Sequence, residues 1–134
     1  MTRQDFTGRW HFDPWASQLQ IDTPESVALV IEQDDTCFRL ERALTVAGHT
    51  DTFSITLDIG AVNPPVARGP VMLHPSLEWE GEELVFRTRI VGEDGEDTNL
   101  VRYRLEDDGA ILVAEERFQG PGKRYRNTWV FRKG

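Results

Sequence analysis

The feature that most constrains this chain is a two-residue alternation of apolar and polar side chains, repeated in five separate stretches. Phe38, Leu40, Leu44 and Val46 fall on one face of an extended segment whose other face carries Arg39, Glu41 and Thr45. Phe53, Ile55, Leu57 and Ile59 alternate in the same way with Thr52, Ser54, Thr56 and Asp58, and Leu84, Phe86 and Ile90 with Arg87 and Arg89. Nearer the end, Val101, Tyr103 and Leu105 alternate with Arg102 and Arg104, and Tyr125, Trp129 and Phe131 with Arg124, Arg126, Thr128 and Arg132. Successive side chains of a strand point to opposite faces, so a period of two marks a strand with one buried side. Two further segments, Val27 to Ile31 and Ile111 to Ala114, are apolar on both faces; β-branched content and length make them strands, with the phase left open.

The breaks between these stretches carry turn residues: Asp34-Asp35, Gly48, Gly81, Glu93-Asp94-Gly95, Asp107-Asp108-Gly109 and Gly120-Pro121-Gly122. Regular short spacing between turns predicts sequential antiparallel pairing. An open meander of about eight to ten strands leaves two unpaired edges, and closure removes them, so the predicted fold is an all-β, up-and-down antiparallel β-barrel. Two stretches break the pattern. Asp13 to Pro24 has room for about one or two helical turns, and Ala61 to Pro75, with Pro64, Pro65, Pro70 and Pro75, must be loop or edge strand in part. Both are expected to flank a barrel mouth.

A chain of 134 residues is long enough to bury a core without staples, and residues 1–134 are expected to form a single domain. Cys37 is the only cysteine, which excludes an intrachain disulfide and a cysteine metal cluster. A formal charge of -8, with arginines interleaved among acids, argues against nucleic acid and anionic membranes as partners. No apolar signal region precedes the first structured motif, and no stretch is long enough to span a bilayer, so the expected location is cytoplasmic unless a signal peptide was removed. A monomer or homodimer is expected.

The opening Asp5-Phe6-Thr7-Gly8-Arg9-Trp10 resembles the Gly-x-Trp signature that begins the first strand of lipocalins and fatty-acid-binding proteins, the calycin group. The match in motif is a few residues, followed by a meander of suitable length that ends in the aromatic and arginine-rich stretch Lys123 to Lys133. The chain looks most like small bacterial lipocalin-like domains. The resemblance implies structural roles for Gly8 and Trp10, with the indole plugging the closed end beneath an arginine of the last strand, Arg126 or Arg132. Asp13 to Pro24 is too short for the helix-turn-helix lid of fatty-acid-binding proteins. Their inward Arg-x-Tyr pair is replaced by Asn127, Trp129 and Phe131. Nitrobindin-like barrels hold haem on a single histidine, and His74, in the proline-rich stretch, is the residue here that a mouth loop would present.

If the apolar phase of each strand faces inward, it carries Arg42, Thr88, Tyr103, Tyr125 and Asn127 in with it. A buried guanidinium needs a carboxylate, from a ligand or from the protein, and Glu115 or Glu116 is the candidate, since that strand's phase is open. Trp79, Phe86 and Trp129 are candidate wall. Such a lining suits a small hydrophobic or amphipathic molecule bearing a carboxylate or carbonyl. The same residues suit a cofactor-free lyase, isomerase or cyclase, in which a tyrosine, an arginine and a carboxylate move a proton. A third reading is a barrel filled by its own side chains, serving as an interaction or structural module. No hydrolase elbow, phosphate loop or dinucleotide fingerprint is present, and His11, His49 and His74 lack zinc spacing, so no cofactor or metal is expected. Glu93, Asp94, Glu96 and Asp97 read as a solvated hairpin tip. Arg87, Arg89, Arg102 and Arg104 read as an outer face opposite acids.

Overall fold

The computed structural model describes residues 3–134. Its strands are β1 (Gly8–Phe12), β2 (Gln18–Leu19), β3 (Ser26–Gln33), β4 (Cys37–Val46), β5 (His49–Asp58), β6 (Val66–Arg68), β7 (Val71–Glu80), β8 (Glu83–Gly92), β9 (Gly95–Glu106), β10 (Ile111–Gln119) and β11 (Arg124–Lys133). They form one antiparallel sheet in the order β5-β4-β3-β1-β11-β10-β9-β8-β7-β6, with β2 attached to β11. β1 and β2 share one edge of β11, β1 against Phe131 to Lys133 and β2 against Asn127 and Thr128. The architecture is the expected up-and-down antiparallel one, curled into a barrel-like trough.

The phases left open by the sequence are now fixed. Val27, Leu29 and Ile31 face inward on β3, and Leu112 and Ala114 on β10. Val113 and its cross-strand partner Val130 are also buried, on the outer side, which explains why that segment is apolar on both faces. Three of the four arginines of β8 and β9 meet acids as expected: Arg89 pairs with Glu96 at 3.1 Å, Arg102 with Glu80 at 3.0 Å and Arg104 with Glu115 at 3.0 Å, whereas Arg87 makes no ion pair among the described residues.

Closure was expected from the edges, and the hydrogen-bonded ladder does not close. β5 and β7 approach each other, but the backbone bond across them is that of Gly60 N–H to Leu77 O, at 2.7 Å. The cause lies in the prolines. Pro75 sits inside β7 opposite Thr88, on the same side of the strand as Leu77, so one of the positions facing the seam has no N–H to offer. Pro64 and Pro65 precede β6, which pairs with β7 only over Val71 to Leu73. The edges are thus blunted by proline and bridged by side chains, chiefly Arg68 Nη2 of β6 to Asp51 Oδ2 of β5 at 2.8 Å.

Asp13 to Pro24 forms no helix. Asp13 Oδ1 accepts the N–H groups of Trp15 and Ala16, Ser17 Oγ donates to Asp13 O, and β2 follows at once. A carboxylate that satisfies two backbone donors makes a compact turn where a helix would need a longer apolar face. Among the described residues, no helical lid lies between β1 and β3.

The core is concentrated at the end opposite the hairpin that joins β4 to β5. Phe6, Trp10, Phe38, Leu57, Leu77, Leu84 and Leu112 are all essentially inaccessible there. Trp10 Nε1 donates to Phe6 O at 2.9 Å, so the indole keeps its polar atom satisfied while its rings fill the plug. The expected cation over Trp10 was Arg126 or Arg132; it is Lys133, whose Nζ lies 5.5 Å from the ring centroid. The register accounts for the difference. Trp10 pairs with Lys133, whereas Arg132 has the opposite phase and binds Asp13, and Arg126 is exposed on the same outer phase. Gly8 has φ of +149°, and a Cβ there would sit 3.1 Å from Lys133 Cε, so the glycine leaves room for the lysine stem over the indole.

Candidate ligand cavity

Above the plug, towards the hairpins of residues 47–48, 93–94 and 120–123, the inward faces line an open-mouthed cavity of about 280 Å³. Its wall is largely aliphatic and aromatic, including Leu29, Leu40, Ile55, Phe86, Trp129 and Phe131. Five of the nine expected contact residues line it: Arg42, Phe86, Thr88, Tyr103 and Trp129. Four do not. Glu115 is a correction: β10 turns it outward, where its Oε2 meets Arg104 Nη1 at 3.0 Å. Trp79 has the inward phase but belongs to the closed end, stacked on Phe6 with centroids 6.1 Å apart. Tyr125 is at the rim, parallel to Phe118 at 4.9 Å. Asn127 is buried behind the wall and acts through Glu116.

Glu116 is the inward carboxylate of β10. Its Oε1 accepts from Asn127 Nδ2 at 2.8 Å and Trp129 Nε1 at 3.0 Å, and its Oε2 accepts from Asn99 Nδ2 at 2.9 Å. Asn127 Oδ1 in turn accepts the Gln20 N–H, so β2 holds the network from behind. Arg42 therefore finds neither Glu115 nor Glu116. Its partner is Asp51, at 3.7 Å, and Asp51 is more closely engaged by Arg68. The ring of Phe53 lies under both guanidiniums, 5.5 Å from Arg42 and 4.6 Å from Arg68.

Asp51, Arg68 and Asn99 were missed from the sequence. For two of them the signal was there: one more step of the alternation through Phe53 reaches Asp51, and one more through Val101 reaches Asn99. Arg68 lies in the proline-rich stretch, where no periodicity marks an inward side. His74 is a correction too. It belongs to β7, opposite Arg89, with the outward phase between inward Leu73 and Pro75, and so cannot hang over the mouth.

Burial pushes the Tyr103 phenol well above its ordinary value; the negative charge of Glu116 adds to the shift and Arg42 opposes it. Tyr125 is raised for the same first reason, with Glu116 and Asp97 contributing. These are the chain's two tyrosines. An absorbance titration is thus expected to show Tyr103 not ionising at the ordinary pKa of 10.0 while the chain stays folded, with Tyr125 ionising above that value. A raised folded pKa means the stabilisation is complete below the unfolded value and declines as pH rises above it. Alkaline unfolding and ionisation of Tyr103 should therefore coincide; two tyrosinates formed before unfolding would contradict the burial of Tyr103.

No protein-family model matches the chain, and no curated protein sequence is detectably similar to it. Solved structures are similar in fold. The REP1-NXSQ fatty acid transporter shares 11% identity over 97% of this chain and 96% of its own, with a TM-score of 0.68. A secretory abundant heat soluble protein of Ramazzottius varieornatus shares 9% over 99% and 98%, with a TM-score of 0.69. The zebrafish ileal bile acid-binding protein, in complex with cholic acid, shares 14% over 96% and 98%, with a TM-score of 0.62. The fold is thus of the calycin type, the group to which lipocalins and fatty-acid-binding proteins belong. The likeness extends over nearly the whole chain, and at these identities it is a likeness of fold.

Proposed function

We propose that the chain, acting as one domain, holds a small apolar or amphipathic molecule in the cavity above the Trp10 plug. The observation that carries this reading is the cavity itself: about 280 Å³, apolar in most of its wall, with a few polar groups converging on it. A barrel filled by its own side chains would leave no such space. A fatty acid transporter and a bile acid-binding protein among the similar structures support the same reading. Phe86, Thr88, Tyr103 and Trp129 are the proposed contacts, with Arg42 at one end. Binding is favoured over cofactor-free catalysis because Glu116 has both oxygens committed to three protein donors, and Tyr103 is held as a neutral phenol by burial.

Titration with anilinonaphthalene sulfonate, and displacement of the dye by octanoate, tests this. Saturable binding by the wild-type chain is expected, with a loss of about tenfold or more in Ala114→Phe, which fills the cavity from β10. Thr88→Phe serves if the first variant does not fold. A wild-type chain that binds neither dye nor octanoate, or folded variants that bind as well as wild type, would overturn the proposal.

A further inference from the structure

Two polar atoms of the cavity wall are buried without a hydrogen-bond partner among the described residues: Arg42 Nε, a donor, and Asn99 Oδ1, an acceptor. Buried polar groups in folded proteins are nearly always satisfied, so two such atoms in one cavity ask for an explanation. The Asn99 orientation is not arbitrary. Its other terminal atom donates to the Glu116 carboxylate, which can only accept, so the oxygen is necessarily the atom left over. On the Arg42 side, two guanidiniums share the single carboxylate of Asp51. Arg68 takes the short contact at 2.8 Å, and Arg42 stands 3.7 Å away, beyond hydrogen-bond range. That end of the cavity carries one uncompensated positive charge and an unused donor. The opposite wall carries an unused acceptor, with the Glu116 carboxylate behind it and the neutral Tyr103 phenol on the same lining.

We propose that the cavity is bipolar and selects a bifunctional ligand: an anionic group against Arg42, and a hydrogen-bond donor, hydroxyl or ammonium, against Asn99 Oδ1. This rests on the cavity-binding reading above and narrows it. The space equals about nine waters' worth of liquid, so the part of a ligand held inside it is roughly ten to fifteen non-hydrogen atoms. The donor is the informative half. Adding a hydroxyl to the far end of a chain that enters an apolar cavity weakens binding, because the hydroxyl must be desolvated. A chain met by an unpaired acceptor does the opposite.

Calorimetric titration of the whole chain with straight-chain acids from hexanoate to dodecanoate, each beside its terminally hydroxylated and terminally aminated counterpart and the matching plain alcohol, tests the proposal. At one chain length, the hydroxy or amino acid is expected to bind about tenfold tighter than the plain acid, and the comparison between the two says which donor is used. In Asn99→Ala that ratio should fall to one or below. In Arg42→Met, the ratio between acid and alcohol should collapse. If plain acids bind and the added donor weakens binding at every length, the two atoms are simply hydrated and bipolar selection is wrong, while the cavity reading stands. A gain that survives in Asn99→Ala overturns the assignment of the acceptor. If acids, alcohols and dye all fail to bind, the cavity reading falls and this inference with it.

Discussion

Replacing Trp10 with alanine should destabilise the chain by about 3–5 kcal/mol, the range for deleting a large aromatic side chain from a packed core. Against the roughly 5–15 kcal/mol that holds a typical domain together, the variant would stand close to unfolding. Trp10 is 1% exposed, is in the same packed cluster as Phe6, Phe38, Tyr103 and Leu112, and ties the segment before β1 to the barrel through its bond to Phe6 O. Its loss opens the closed end and frees Phe6, whose ring stacks on Trp79. Urea unfolding monitored by circular dichroism measures the effect. Lys133→Met is the companion, because it removes the cation over the indole and keeps the apolar stem; its expected cost is at most about 1 kcal/mol. A comparable loss in both variants would mean that the plug is held by charge rather than by packing.

The β-strands were legible because one face of nearly every strand is buried, and burial of a single face writes a period of two into the sequence. Legibility failed where that condition fails. The Ile111 to Ala114 segment is buried on both faces, because Val113 and Val130 pack on the outer side, so its sequence leaves open the phase and with it the choice between Glu115 and Glu116. The seam departs from the edge argument for another reason. Edge energetics predict closure in general, but they do not say that Pro75 removes a donor from the seam-facing edge of β7. In the turn after β1, Pro14 to Leu19 has helical composition, but Asp13, hydrogen-bonded to two successive N–H groups, wins over that propensity.

The cavity was partly legible for the same reason that the strands were. Phe86, Thr88, Tyr103 and Trp129 follow directly from phase. What phase does not give is height along the barrel: Trp79 and Tyr125 point inward as expected, yet one is in the plug and the other at the rim. Partners across the lumen were also out of reach. Asp51 meets Arg68 from a strand that does not pair with its own, a contact set by the curl of the whole sheet and by no local pattern.

Glu116→Ala should cost about 3–5 kcal/mol, because it leaves Asn99, Asn127 and Trp129 each with a donor and no acceptor, at about 1–3 kcal/mol for each such group before any relaxation. The adjacent Glu115→Ala makes the sharper half of the comparison. Glu115 forms a surface pair with Arg104, which also holds Glu106, and its removal should cost at most about 1 kcal/mol. Neighbouring glutamates with such unequal costs are what a strand with one inward and one outward face requires. Glu116→Gln separates charge from acceptor count. It keeps one oxygen but presents an amide N–H₂ to the remaining donors, so an intermediate cost of about 1–2 kcal/mol is expected. Denaturant midpoints of the three variants decide the matter. Equal costs at 115 and 116 would mean that β10 is not phased as described, and both the Glu116 network and the unpaired Asn99 oxygen beside it would lose their foundation.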